Sequence, residues 1–104
     1  MIRMHSPQHP GEVLLEDYIK PLGISVRALS IILHVPYRRM RETVSGKRAV
    51  SVDMALRLER YFGSDARGWL SMQSTYDLRR AEGEIGDQIK QEIAPRLLDA
   101  QALK

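Results

Sequence analysis

The chain has 104 residues, 16 Lys and Arg against 13 Asp and Glu for a net charge of +3, and a hydrophobic fraction of 43%; this fits one globular core and excludes a disordered chain or two independent cores. It has no cysteine, which excludes disulfides, thiolate metal sites and a cysteine nucleophile, and no apolar run approaches the roughly 18–20 residues of a membrane span. Its four Tyr, one Trp and one Phe are too few for a platform that stacks single-stranded nucleic acid.

Residues 1–10 carry His, Pro and Gln instead of an apolar signal core, so no export is expected and the protein reads as cytoplasmic. Residues 1–8 form an N-terminal arm. Pro10 suits the first helical position and Glu12 complements the positive helix end. The first helix therefore starts near Pro10, with Leu15, Tyr18, Ile19 and Leu22 at helical spacing, and Pro21 and Gly23 end it. Ser25 caps a second, short helix whose stripe is Val26, Leu29 and Leu33. Pro36 biases Val35 away from helical dihedrals and opens a third helix, which runs to Val44 and closes at Gly46. Its inward positions are Met40, Thr43 and Val44; its outward ones are Tyr37, Arg38, Arg39, Arg41 and Glu42.

Ser51 caps a fourth helix with Asp53 in its first turn, Ala55, Leu58 and Phe62 inside, and Gly63 as its C-terminal glycine. Ser64 or Asp65 caps a fifth, with Trp69, Met72 and Tyr76 on one face. Residues 79–86, rich in charge and holding Gly83 and Gly86, read as a polar hinge. Beyond it Ile85, Ile89, Ile93 and Leu97 make a narrow stripe that Pro95 should kink or break. Two readings of this stripe stay open, packing on the core or a dimer mate, which is favoured, and ordering on a partner.

Charge is not spread evenly. Between Ser25 and Arg48 six cations (Arg27, Arg38, Arg39, Arg41, Lys47 and Arg48) face the single carboxylate of Glu42, so these 24 residues carry +5 and the other 80 carry −2. Two short helices joined by a tight turn, the second basic on its outer face, describe a helix-turn-helix. A helix that enters a groove about 12 Å wide needs long donors on its outer face. Arg38, Arg39 and Arg41 provide them for bases or phosphates, Tyr37 adds a hydroxyl and a ring, and Arg27, Lys47 and Arg48 are phosphate candidates. A merely solvated basic face is the competing interpretation.

The residues also resemble a known family. His9-Pro10-Gly11-Glu12-Val13-Leu14, Tyr18, Pro21-Leu22-Gly23-Ile24-Ser25, Leu33-His34-Val35-Pro36, Gly46-Lys47-Arg48 and the run from Ser51 to Leu58 follow the order seen in HigA-type antitoxins of the lambda-repressor-like (XRE) superfamily. The stretch from Trp69 to Leu78 resembles the W-L-N-L-Q-x-x-Y-D-L signature, with Ser71 and Met72 for Asn and Leu. The resemblance spans residues 9–80. It implies an all-α, five-helix DNA-binding domain, here with residues 81–104 as an added C-terminal helical segment. It also implies a homodimer on an operator inverted repeat, repression of its own operon, and neutralisation of a RelE-like ribonuclease, the cognate HigB-like toxin. This chain departs from the pattern at three positions. His34 stands where the turn takes Gly at positive φ, a conformation His adopts at some cost; Ser30 replaces a small Ala, and Pro36 replaces a capping Ser or Thr.

Other constellations carry less. Trp69 and Tyr76 at helical spacing indicate core or dimer packing, not a ligand box. His5 and His9 are four apart, but Pro10 argues against a helical ligand pair, and without cysteines or clustered carboxylates no metal or other cofactor is expected. Glu16 and Asp17 read as the wet face of a helix. No phosphate loop, nucleophile elbow or metalloprotease pattern points to an enzyme. Two alternatives remain beside the antitoxin: a stand-alone transcription regulator of the same fold, and a protein-interaction module whose basic helix meets an acidic partner.

Overall fold

The computed structural model describes residues 8–96, which form five helices. α1 (residues 10–22) is composite: Pro10–Val13 is α-helical, Leu14–Ile19 is π-helical, and Lys20–Leu22 closes it. Pro10 sits in the first turn behind His9, whose ring nitrogen Nδ1 accepts the Gly11 N–H at 2.9 Å. Contrary to expectation, Pro21 does not end the helix. Proline cannot donate to the ladder and its ring crowds the carbonyl four residues back, and the wider turn before it, in which Lys20 N–H reaches the Leu15 carbonyl, carries the chain past this obstacle to Leu22. Gly23, at φ +69°, is the actual stop. The π turn also moves the apolar face. Residues five apart align in such a turn, so Leu14 and Ile19 are buried, Leu15 and Tyr18 are half-buried, and Leu22, predicted inward, is exposed.

α2 (Val26–Leu33) and α3 (Tyr37–Val44) follow the predicted bounds, with Ser25 Oγ accepting the Ala28 N–H at 2.9 Å. Ser30 and Thr43 are buried polar residues whose hydroxyls donate to the Arg27 and Arg39 carbonyls of their own helices; this back-bonding lets a hydroxyl lie inside a helix packing face. α4 (Val52–Phe62) is capped by Ser51 and closed by Gly63 at φ +74°. The core is Leu14, Ile19, Leu29, Leu33, Val35, Met40, Val44, Val50, Met54, Ala55, Leu58 and Trp69. Trp69 lies 5.3 Å from the Tyr18 ring and donates its indole N–H to Ser64 Oγ at 2.8 Å. It is a core residue, as its helical spacing indicated.

α5 (Ala66–Glu92), capped by Asp65, is one helix of 27 residues. The expected hinge at 79–86 is therefore absent, and the final segment continues the fifth helix. Each internal glycine costs about 1 kcal/mol relative to alanine, but the i, i+4 pairs Arg80–Glu84 within this stretch and Gln88–Glu92 just beyond it favour helix. Pro95 terminates instead of kinking: Ile93 is already extended at φ −124°. Ile85, Ile89 and Ile93 are exposed and do not pack on this chain's own core, contrary to that part of the favoured reading; Leu97 lies outside the described residues. Among the described residues no helix is long and apolar enough to cross a membrane.

Candidate nucleic-acid interface

The pair α2–α3 is held by a turn that must reverse direction within three residues. His34 adopts φ +59° and ψ +44°. Its N–H reaches the Ile31 carbonyl at 3.2 Å, and the Val35 N–H reaches the Ser30 carbonyl at 3.0 Å. These two bonds form a Schellman closure, which demands a left-handed residue at the His34 position. The anticipated strained conformation is thus present, and buried Val35 secures it from the hydrophobic side. Pro36 follows at the cap position of α3 with no side-chain hydrogen bond to the helix start.

Burial of Met40, Thr43 and Val44 fixes the rotation of α3 and so decides where its remaining side chains go. Tyr37 is partly buried beneath two cations: the Arg27 guanidinium lies 4.0 Å over its ring centroid and that of Arg41 lies 5.6 Å away. These are cation–π distances. The ring thereby joins α2 to α3 and holds two arginines side by side. Arg38 projects outward with 80% of its side chain accessible and donates from Nε to Glu42 Oε2 at 3.0 Å. Arg48 reaches the other oxygen of Glu42 from Nε and Nη2, at 3.0 and 2.7 Å. Hydrogen bonds from Arg48 first, then Arg38, hold the Glu42 carboxyl below its ordinary range. Lys47 is exposed on the loop that follows.

Arg39 takes a different course. Only 26% of its side chain is accessible, because Nη2 donates to Ser51 Oγ and Asp53 Oδ2, each at 2.9 Å. The same Asp53 oxygen accepts Arg57 Nε at 3.0 Å, and Arg57 Nη1 reaches back to the Leu33 carbonyl at 2.9 Å. One carboxylate at the start of α4 therefore links α3 to the end of α2 at the turn. Arg27, Arg38, Arg41, Lys47 and Arg48 form the cationic surface around α3, with the Tyr37 ring beneath Arg27 and Arg41, while Arg39 is turned into the scaffold.

Three supporting groups, the Asp53–Arg57 pair, Gln73 and His9, were not identified as such from sequence. Asp53 was noted only as lying in a first helical turn, and Arg57 lies 24 residues from the carbonyl it meets, with no local signal for either pairing. Gln73 is buried, accepts the Val50 N–H at 2.8 Å and donates to Asp77 Oδ1 at 3.0 Å, so it ties the loop after α3 to α5. His9 is the third. It is buried against Gly46 of that loop and meets the Tyr76 ring edge-on at 5.0 Å. Burial lowers its pKa from the ordinary 6.5, against opposing influences of Asp77 and Glu12. Next to it, α1 approaches α3 so closely that a Cβ on Gly11 would collide with the Thr43 carbonyl.

A short α2, a left-handed turn and an α3 with a buried rear and an arginine-rich front define a helix-turn-helix protein. No protein-family profile matches the chain, but individual proteins do. Virulence-associated protein I of Dichelobacter nodosus is 54% identical over 74 residues, covering 71% of this chain and 68% of that protein. Among solved structures, the Pseudomonas aeruginosa antitoxin HigA with the higBA promoter superposes with a TM-score of 0.84 at 41% identity, over 88% of this chain and 99% of that one. The antitoxin GraA in complex with its operator gives 0.82 at 36% identity, over 94% and 98%. The chain belongs to the HigA/GraA family of helix-turn-helix antitoxins.

Proposed function

We propose that the protein is the antitoxin of a HigBA-type pair: a cytoplasmic homodimer that binds an operator inverted repeat, represses its own operon and neutralises a RelE-like ribonuclease toxin. The observation that carries the DNA-binding part is the front of α3, where Arg38 and Arg41 stand outward on a helix whose rear is locked into the core. Solved relatives, HigA with the higBA promoter and GraA in complex with its operator, support DNA binding as the role of the domain.

In mechanism, α3 enters the major groove. Arg38 and Arg41 reach guanine edges or phosphates, Tyr37 offers its hydroxyl to the backbone, and Arg27, Lys47 and Arg48 neutralise phosphates on either side. Arg39, committed to Asp53 and Ser51, sets the angle at which α3 is presented. A two-fold dimer places two such helices about 34–36 Å apart, one turn of DNA. The test is a mobility shift with a duplex from upstream of the protein's own coding region, paired with co-expression of the neighbouring gene. A shift at low salt and relief of that gene's toxicity with co-purification support both halves of the proposal. No shift favours a protein-interaction module, and a shift without toxin relief favours a stand-alone regulator.

A further inference from the structure

Glu42 is the one carboxylate between residues 25 and 48, and it stands one turn from Arg38, in reach of two of the arginines assigned to DNA. Its oxygens accept from Arg38 and, through two nitrogens, from Arg48. Its backbone carbonyl accepts the N–H groups of Lys47 and Arg48, at 2.9 and 3.2 Å, and the Ser45 hydroxyl at 3.1 Å. The 45–48 loop is thus wrapped around this residue, and the carboxylate is held where α3 ends, only 23% accessible between the two guanidinium groups.

The arginines of both pairs are exposed, and such pairs contribute little to folding, while a carboxylate beside phosphate-seeking arginines weakens attraction to any polyanion. Neither stability nor affinity accounts for it. Resting on the DNA-binding reading above, we propose that Glu42 is a specificity-determining residue that suppresses binding to non-operator DNA. Off DNA it pairs with both Arg38 and Arg48 and offsets one of their two charges. To grip phosphate with the N–H edge that each now turns to Glu42, both must leave it, and the carboxylate then faces the polyanion unpaired. On arbitrary sequence nothing offsets that repulsion. At a site presenting a cytosine amino group in the major groove, the freed carboxylate accepts from it, and the two arginines are released to phosphate or guanine. Discrimination is a difference of affinities, and a carboxylate that penalises every site except those with a matching donor widens it.

The experiment is a fluorescence-anisotropy titration of the full chain and Glu42→Gln against two duplexes of equal length, one from upstream of its own coding region and one scrambled. Melting curves accompany it, and Glu42→Ala serves as a second variant if Glu42→Gln melts early. On scrambled duplex, Glu42→Gln should bind about fivefold tighter, the effect of one charge at close range in water. Its log–log salt slope should steepen by about one, and the ratio between the two duplexes should narrow. Unchanged or weaker binding of a folded variant to scrambled duplex overturns the role of Glu42 while leaving the DNA-binding reading intact. Failure of the unsubstituted chain to bind either duplex at low salt overturns both.

Discussion

Arg39 belongs to α3 by sequence, but its guanidinium is anchored to Asp53 at the start of α4, 2.9 Å from Nη2 to Oδ2. The pair ties the front helix of the motif to the element behind it, and Arg57 extends the tie to the Leu33 carbonyl at the turn. Asp53→Ala is expected to lower the melting temperature and weaken operator binding while leaving the salt slope unchanged, because no phosphate contact is removed. A double-mutant cycle with Arg39→Ala should be strongly non-additive. A shallower slope in Asp53→Ala, or additive effects, would contradict a positioning role.

Hydrogen bonds from Arg57 first, then Arg39, also hold the Asp53 carboxyl below its ordinary 3.8. A depressed carboxyl contributes stability above its unfolded-state value and loses it as pH falls through the folded one. His9 acts in a higher window. Its folded pKa lies below 6.5 because burial opposes charging, so the unfolded chain binds the extra proton and stability declines as pH drops below 6.5 towards the folded value. Urea midpoints measured on either side of 6.5 check this. In His9→Asn, which keeps a capping acceptor, the decline between 6.5 and the carboxylate range should flatten; an undiminished decline would assign it to other groups.

The contact of α1 with α3 leaves no room at Gly11, where an added Cβ meets a carbonyl of packed backbone. Gly11→Ala is expected to cost about 1–3 kcal/mol or more, the range for overpacking a site that cannot yield. Urea denaturation reads it directly, and a variant as stable as the parent would show that the two helices can separate without penalty.

His34 at φ +59° gives the opposite expectation. A left-handed non-glycine residue costs about 1–2 kcal/mol, partly offset on substitution by the greater freedom of glycine in the unfolded chain. His34→Gly should therefore stabilise the protein, by about 0.5–1 kcal/mol. A loss of stability would mean that the imidazole contributes contacts that outweigh the strain.

Much of this architecture was legible because the relevant signals are local. Ser25, Ser51 and Gly63 announce helix ends through groups one to three residues away, and Pro36 with the inward set Met40, Thr43 and Val44 placed α3 within its observed bounds. Where the reading failed, a local rule met a non-local compensation. A 3.6-residue period placed Leu22 inward with Leu15, Tyr18 and Ile19 and passed over Leu14, whereas the wider turn ahead of Pro21 buries Leu14 beside Ile19 and leaves Leu22 exposed; the internal proline was the available clue. Gly83 and Gly86 suggested a hinge, but no capping residue starts a new helix there, and the Arg80–Glu84 spacing already favoured continuity. The six cations between residues 25 and 48 were named from charge alone. That Arg39 is diverted to Asp53, 14 residues away, has no sequence signature, because acid in a first helical turn is ordinarily explained by the helix dipole.

The central claim is that the front of α3 reads DNA through Arg38 and Arg41. It is tested most directly by the dissociation constants of the unsubstituted chain, Arg38→Ala, Arg41→Ala and the double variant on the upstream duplex at one fixed salt concentration. Each single substitution that removes a base contact is expected to weaken binding by about 1–3 kcal/mol, and the double variant should approach the affinity for scrambled DNA. Unchanged affinity in both single variants and the double would contradict the claim.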